Sequence, residues 1–226
     1  MAFVAAERRE FDGFLKNAER VVKLRWPLPF ARMVWLNGTA AVLVANGPGP
    51  KLAGQAVDVL REHEEIKVLV STGFCGALDP TLKLCDIFAA TEVLNIGPAL
   101  PPDTRHPHKS GKLLSIDCVA STAAEKSELR QTGAGAVEME AAAVAAKAIE
   151  WDVPFYAIRV VTDTADENFV LDFNRMRDTS GRFSRAKIMI AALRRPITVL
   201  PELAKLNRRC KDAAQALGDF VAGTRF

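Results

Sequence analysis

The sequence predicts an α/β fold, a three-layer α/β/α sandwich with a mixed central sheet. Three observations carry this expectation. Apolar runs of strand length alternate with segments of helical pattern along most of the chain. Two adjacent runs, residues 33–36 and 39–45, bracket Asn37-Gly38. That dipeptide between apolar segments signals a tight antiparallel hairpin, because both turn positions need positive φ. Other runs, such as residues 66–73 and 153–163, are dense in apolar side chains, as expected of strands covered on both faces.

The elements follow in order. Residues 3–6 form a short strand, and the charged stretch to about residue 20 has a helix-like pattern. The hairpin spans residues 33–44. The turn Asn46-Gly-Pro-Gly-Pro leads into a helix over 52–65. Strands are expected at 66–73 and 85–94. Residues 96–112, rich in Pro, Gly and His, read as a loop or excursion, and 115–121 as a further strand. Thr122 and Glu125 have the spacing of a capping box, which predicts a helix from there to about 131. A short run at 136–139 turns into an alanine-rich helix ending near 150, and 153–163 is a strand. Two helices, 184–195 and 202–221, flank a segment with a proline at each end.

At 226 residues the chain fits one domain, residues 1–226, with a basic helical C-terminal segment at 173–226. Hydrophobic residues make up 49% and charged residues 25%, ordinary values for a globular protein. No apolar run is long enough to span a membrane. Cys75, Cys85, Cys118 and Cys210 show no paired spacing, so free thiols and a cytoplasmic location are expected. From Phe173 onward 12 Lys+Arg stand against 4 Asp+Glu, while the preceding residues carry 18 against 23. A basic tail on an acidic body reads first as a solvated helix face. Its alternative use is peripheral contact with an anionic membrane surface, and nucleic acid is not expected as a partner.

Chemistry-bearing residues fall where α/β sheets gather ligands, beyond the carboxyl ends of strands. Glu10 follows the first strand, Gly73-Phe74-Cys75-Gly76 follows the 66–73 run, Glu138-Met139-Glu140 marks a joint between strand and helix, and Asp163 ends the run containing Arg159. Taken singly, each carboxylate reads as a cap or a surface charge, and Met139 as core filler. Together they describe a cleft with three carboxylates, glycine-turn N–H groups and apolar contacts. A dinucleotide site does not fit, because the glycine spacing at Gly47, Gly49 and Gly54 is wrong and no acidic residue ends the next strand. Three histidines without a cysteine cluster give no metal site, and no nucleophile motif is present.

Three stretches carry a resemblance. Residues 71–93, STGFCGALDPTLKLCDIFAATEV, resemble the glycine-turn motif of the purine/uridine phosphorylase family 1, which includes the methylthioadenosine/S-adenosylhomocysteine nucleosidases. AVEMEAAAVA resembles its ribose-binding signature, and VPFYAIRVVTDTADE its purine-contacting strand. The resemblance implies a nucleoside phosphorylase-like fold, a small-molecule purine nucleoside as substrate, no cofactor, and a homo-oligomer. By resemblance, Glu140 holds the ribose hydroxyls with Met139 packed on the sugar, and Asp163 addresses purine N7. Glu10 activates water, and Val119 and Ala120 meet the base. Val119 departs from the family's usual aromatic. The hydroxyl and arginine that hold phosphate in the phosphorylases are replaced by Phe74 and Ser71. The expected reaction is therefore hydrolysis of the N-glycosidic bond, with phosphorolysis, phosphate being co-substrate, as the alternative. A non-catalytic nucleoside-binding protein is a weaker third reading. The stretches DFNRMRDTSGR and STAAEKSELRQTGA, with the basic tail, are similar to a subgroup associated with hopanoid biosynthesis. That similarity implies adenine release from an adenosylated hopane, a lipid-linked nucleoside, with 5′-methylthioadenosine/S-adenosylhomocysteine nucleosidase activity as the alternative.

Overall fold

The computed structural model describes residues 1–226. Its core is a mixed sheet built around β1 (Ala2–Ala5), which pairs in parallel with β4 (Thr39–Ala45) and β5 (Leu69–Ala77). On one side β4, β3 (Phe30–Leu36) and β2 (Arg20–Lys23) form an antiparallel meander. The β3–β4 turn is the expected one, with φ of 49° at Asn37 and 72° at Gly38. On the other side β5 pairs in parallel with β11 (Phe155–Asp163), and β11 pairs antiparallel with β6 (Ile87–Val93). Next come β9 (Lys109–Ser115) and β10 (Ala136–Glu138), and β10 returns antiparallel to β5. Strands β5, β11, β6, β9 and β10 thus close into a ring. Two-residue strands β7 (Gly97–Pro98) and β8 (Asp103–Thr104) lie in the excursion, and β8 pairs with β12 (Thr224–Arg225).

Helices cover both faces. Helices α2 (Pro50–His63) and α4 (Ala141–Glu150) bury Ala53, Val57, Leu60, Val144 and Ala148 in one apolar cluster. On the opposite face, α1 (Asp12–Asn17) and α6 (Pro196–Ala222) bury Phe14, Ala213, Leu217 and Phe220 in a second. This is the expected three-layer arrangement. Helix α3 (Ala123–Arg130) opens on the expected capping box: the Thr122 hydroxyl accepts from Glu125 N–H, and the Glu125 carboxylate accepts from Thr122 N–H. Helix α5 (Arg185–Arg194) precedes α6, and no helix is long and apolar enough to cross a membrane.

Several boundaries differ from expectation. The strand expected at 115–121 lies earlier, at β9, because parallel pairing with β6 and β10 captures residues 109–115 and releases 116–121 as loop. The charged stretch after β1 is a 3₁₀ turn, Arg8–Phe11, followed by the short α1, and then the unexpected edge strand β2. The last helix starts at Pro196 and runs through Pro201. Proline removes the bond to the carbonyl four residues back, here that of the exposed Ile197, where water can replace it. Strand β5 continues through Gly73-Phe74-Cys75-Gly76 instead of turning there, since β11 pairs with it as far as Asp163–Gly76.

Candidate active site

Three buried carboxylates, those of Glu10, Glu140 and Asp163, converge on one cleft of about 510 Å³. That size suits a small organic ligand. Each carboxylate is fixed by a glycine. Glu10 lies in the 3₁₀ turn, and its Oε1 accepts the Phe74 N–H at 2.8 Å while Oε2 accepts the Glu7 N–H at 2.6 Å. Gly73 has φ +138°, and a Cβ there would collide with the Glu10 carboxylate, so only glycine leaves room. Asp163 sits beyond a bulge at Thr162 in β11, a common device for re-aiming a functional side chain. A Cβ on Gly76 would stand 2.8 Å from Asp163 Oδ2. Glu140 Oε1 accepts the Gly49 N–H at 2.8 Å.

Burial controls the protonation of all three. It pushes Glu10 up to about 7, against the pull of the two N–H donors. Burial also lifts Glu140 well above the ordinary carboxylate range, and the neighbouring charges of Glu138 and Glu10 add to this. Asp163 is raised by burial as well, opposed by the ammonium of Lys126, whose Nζ stands 2.5 Å from Oδ2. The Thr162 hydroxyl donates to the other oxygen, Oδ1, at 3.0 Å.

Glu138 and Glu140 take different directions at the strand–helix joint. The Glu138 side chain is 1% exposed and, at the edge of the cleft, turns toward the start of α4 and Arg159. Its Oε2 accepts from the N–H groups of Glu140 and Ala141, each at 2.9 Å, and so caps α4. Arg159 Nη2 pairs with that same Oε2 at 2.5 Å. Arg159 also donates from Nη2 to Ser71 Oγ at 2.6 Å and from Nη1 to the Ile158 carbonyl at 3.3 Å, which holds the guanidinium inside the fold.

This corrects two expectations. Arg159 does not face a ligand, because it is fully buried as the counter-ion of Glu138, and Gly73 lies beneath Glu10 and off the cleft surface. The other expected residues, Phe74, Cys75, Gly76, Val119, Ala120, Glu138, Met139, Glu140, Asp163 and Glu10, all border the cleft. Burial pushes the Cys75 thiol far up, which excludes a thiolate there. Both backbone groups of Val119 are taken by the Asn174 side chain, at 2.8 and 3.0 Å.

Sequence reading missed two features. Lys126, on α3, is 1% exposed and donates to Asp163 and to the Thr164 carbonyl at 2.7 Å. A wall of Phe169, Phe173, Phe183, Ile188, Leu203 and Leu206 closes the far side of the cleft. Lysine four residues after a capping threonine looks like any solvated helix charge, so no local signal marked it. Apart from Phe169, six residues after Asp163, the wall comes from segments distant from the carboxylates in sequence.

Solved structures share this fold. The 5′-methylthioadenosine/S-adenosylhomocysteine nucleosidase of Neisseria meningitidis, in complex with methylthio-immucillin-A, is 20% identical, with a TM-score of 0.71 over 98% of this chain and 96% of that one. The MTA/SAH nucleosidase of Streptococcus pneumoniae, in complex with 8-aminoadenine, is 14% identical, with a TM-score of 0.71 over 98% and 96%. Futalosine hydrolase of Helicobacter pylori is 16% identical, with a TM-score of 0.69 over 97% and 94%. Identities this low speak for the architecture alone. The family model of the phosphorylase superfamily matches residues 28–115 and 103–191 of the sequence itself, and this match over most of its length shows that the chain belongs to the phosphorylase superfamily.

Proposed function

We propose that the protein is a purine nucleosidase that hydrolyses the N-glycosidic bond of an adenine nucleoside. The observation that carries this reading is the convergence of three differently supported carboxylates on one cleft. Bond cleavage passes through an oxocarbenium-like sugar and a departing base that gains a proton. Asp163, raised by burial, protonates or hydrogen-bonds purine N7. Glu140 accepts the ribose hydroxyls and stabilises the developing positive charge, with Met139 against the sugar. Glu10, pushed up to about 7 by burial, takes a proton from the attacking water. The base meets the backbone at Ala120 rather than at Val119, whose groups Asn174 already holds. Lys126 is a positioning residue: it holds Asp163 Oδ2 and restrains the rise of its pKa.

Water is favoured over phosphate as the nucleophile by the partners of Glu10. The Phe74 N–H, at the glycine motif where an anion would bind, already donates to the Glu10 carboxylate. An incoming phosphate would meet that negative charge; the buried Arg159 is paired with Glu138, and Arg9, which lines the cleft beside Phe74, is paired with Glu7. The apolar wall of the cleft favours a nucleoside with a large apolar 5′ substituent, such as an adenosylated hopane. Adenine nucleosides with different 5′ groups, assayed for adenine release with and without phosphate, test the reading. Phosphate-independent release, fastest with apolar 5′ groups, is expected. Strict phosphate dependence with formation of a sugar 1-phosphate would establish phosphorolysis instead.

A further inference from the structure

We infer that the elbow between α5 and α6 is a membrane-docking surface for an anionic lipid bilayer. The chain exposes ten large hydrophobic side chains, and five of them fall within twelve residues: Met189, Ile190, Leu193, Ile197 and Leu200. Leu193 is 74% exposed and Ile197 88%, on either side of Arg194-Arg195-Pro196. Met189, Ile190 and Leu193 on α5 and Ile197 and Leu200 on α6 make an exposed apolar stripe across both arms of the elbow. Ala192 and Val199 face inward and pack on Leu171 in a small cluster of their own, separate from the two main cores. The fold therefore has no internal use for the stripe.

Charge identifies the occupant. No carboxylate lies between Thr179 and Pro201, whereas Arg185, Lys187, Arg194 and Arg195 are all exposed there. Apolar side chains ringed by cations match the boundary between acyl chains and anionic headgroups, where arginine stems lie along apolar surface and their heads remain in the polar layer. A second copy of the chain fits poorly. A twofold contact through the elbow would set the Arg194-Arg195 pairs of the two copies against each other. The opposite side of the same elbow supplies Ile188, Leu203 and Leu206 to the cleft wall. Docking would thus bring the apolar end of the cleft to the bilayer surface. The inference concerns this surface alone, and holds whichever nucleoside the cleft takes.

Vesicle flotation of the full-length protein tests it, with phosphatidylcholine vesicles compared with vesicles that also contain phosphatidylglycerol. The protein is expected to float with the mixed vesicles and far less with phosphatidylcholine alone. The double substitution Leu193→Asp/Ile197→Asp should reduce the bound fraction roughly tenfold or more, through lost apolar burial and added negative charge. Its molar mass by light scattering and its cleavage of a water-soluble adenine nucleoside should match those of the parent. No flotation with either vesicle overturns the inference, as does flotation of the variant equal to the parent. A drop in molar mass on substitution also overturns it, assigning the elbow to contact between copies.

Discussion

Replacing Gly76 with alanine should impair the reaction with little effect on the fold. The added Cβ would stand 2.8 Å from Asp163 Oδ2, about 0.6 Å inside the 3.4 Å of ordinary contact. Gly76 does not have positive φ, so alanine brings no backbone strain. The carboxylate cannot retreat freely, because the same Oδ2 is held by Lys126 at 2.5 Å and Oδ1 accepts from Thr162. A misplacement on the order of 1 Å costs a reaction up to ~10²-fold. A shift of about half that should therefore lower kcat/KM roughly tenfold, or ~1.4 kcal/mol. Overpacking should lower stability by about 1–2 kcal/mol. Initial rates of adenine release and thermal unfolding measure the two effects. Gly54→Ala is the control: a Cβ there meets nothing within 4 Å, and in the interior of α2 it should raise stability by up to about 1 kcal/mol without changing the rate. Gly76→Ala with unchanged kcat/KM would refute the claim that Asp163 must occupy this position.

Other substitutions follow from the same geometry. Lys126→Met strips a buried carboxylate of its cation, which should cost about 3–5 kcal/mol of stability in denaturant unfolding and move Asp163's titration in the pH–rate profile upward. With Glu10 as the base, kcat/KM rises as pH climbs through about 7, and Glu10→Gln should release no adenine above background at any pH on that limb. The stability linkage has the opposite sign. A carboxyl raised from 4.5 to about 7 favours the native state fully below 4.5, and that contribution is lost as pH rises to about 7, on the order of 3 kcal/mol in all. Unfolding of parent and Glu10→Gln across that range should show a shallower slope in the variant, which keeps only the contributions of Glu140 and Asp163. Arg159→Leu leaves Glu138 charged and unpaired beneath α4, with an expected loss of about 3–5 kcal/mol in chemical unfolding.

The legible parts of the fold were those fixed by local chemistry. Asn37-Gly38 has one good backbone solution, and Thr122 with Glu125 closes a capping box from residues three apart. The carboxylates were legible because they stand at or just beyond strand ends, where a sheet presents side chains to ligands. What escaped was set by distant partners. The position of β9 depends on β6 and β10 pairing with it, and Lys126 is buried only because Asp163 arrives from β11. Arg159 sits in an apolar strand next to functional residues and was expected to touch ligand. Its partner Glu138 comes from β10, brought close by the ring closure between β10 and β5. The glycines of residues 73–76 read as a turn, yet they remain in a strand and clear space for two carboxylates.

The most direct test of the central claim is the fate of the sugar when an adenine nucleoside is cleaved in heavy-oxygen water containing phosphate. Water activated at Glu10 predicts free sugar carrying the heavy oxygen at its anomeric carbon, and no labelled sugar from Glu10→Gln. An unlabelled sugar 1-phosphate, formed equally well by Glu10→Gln, would contradict it.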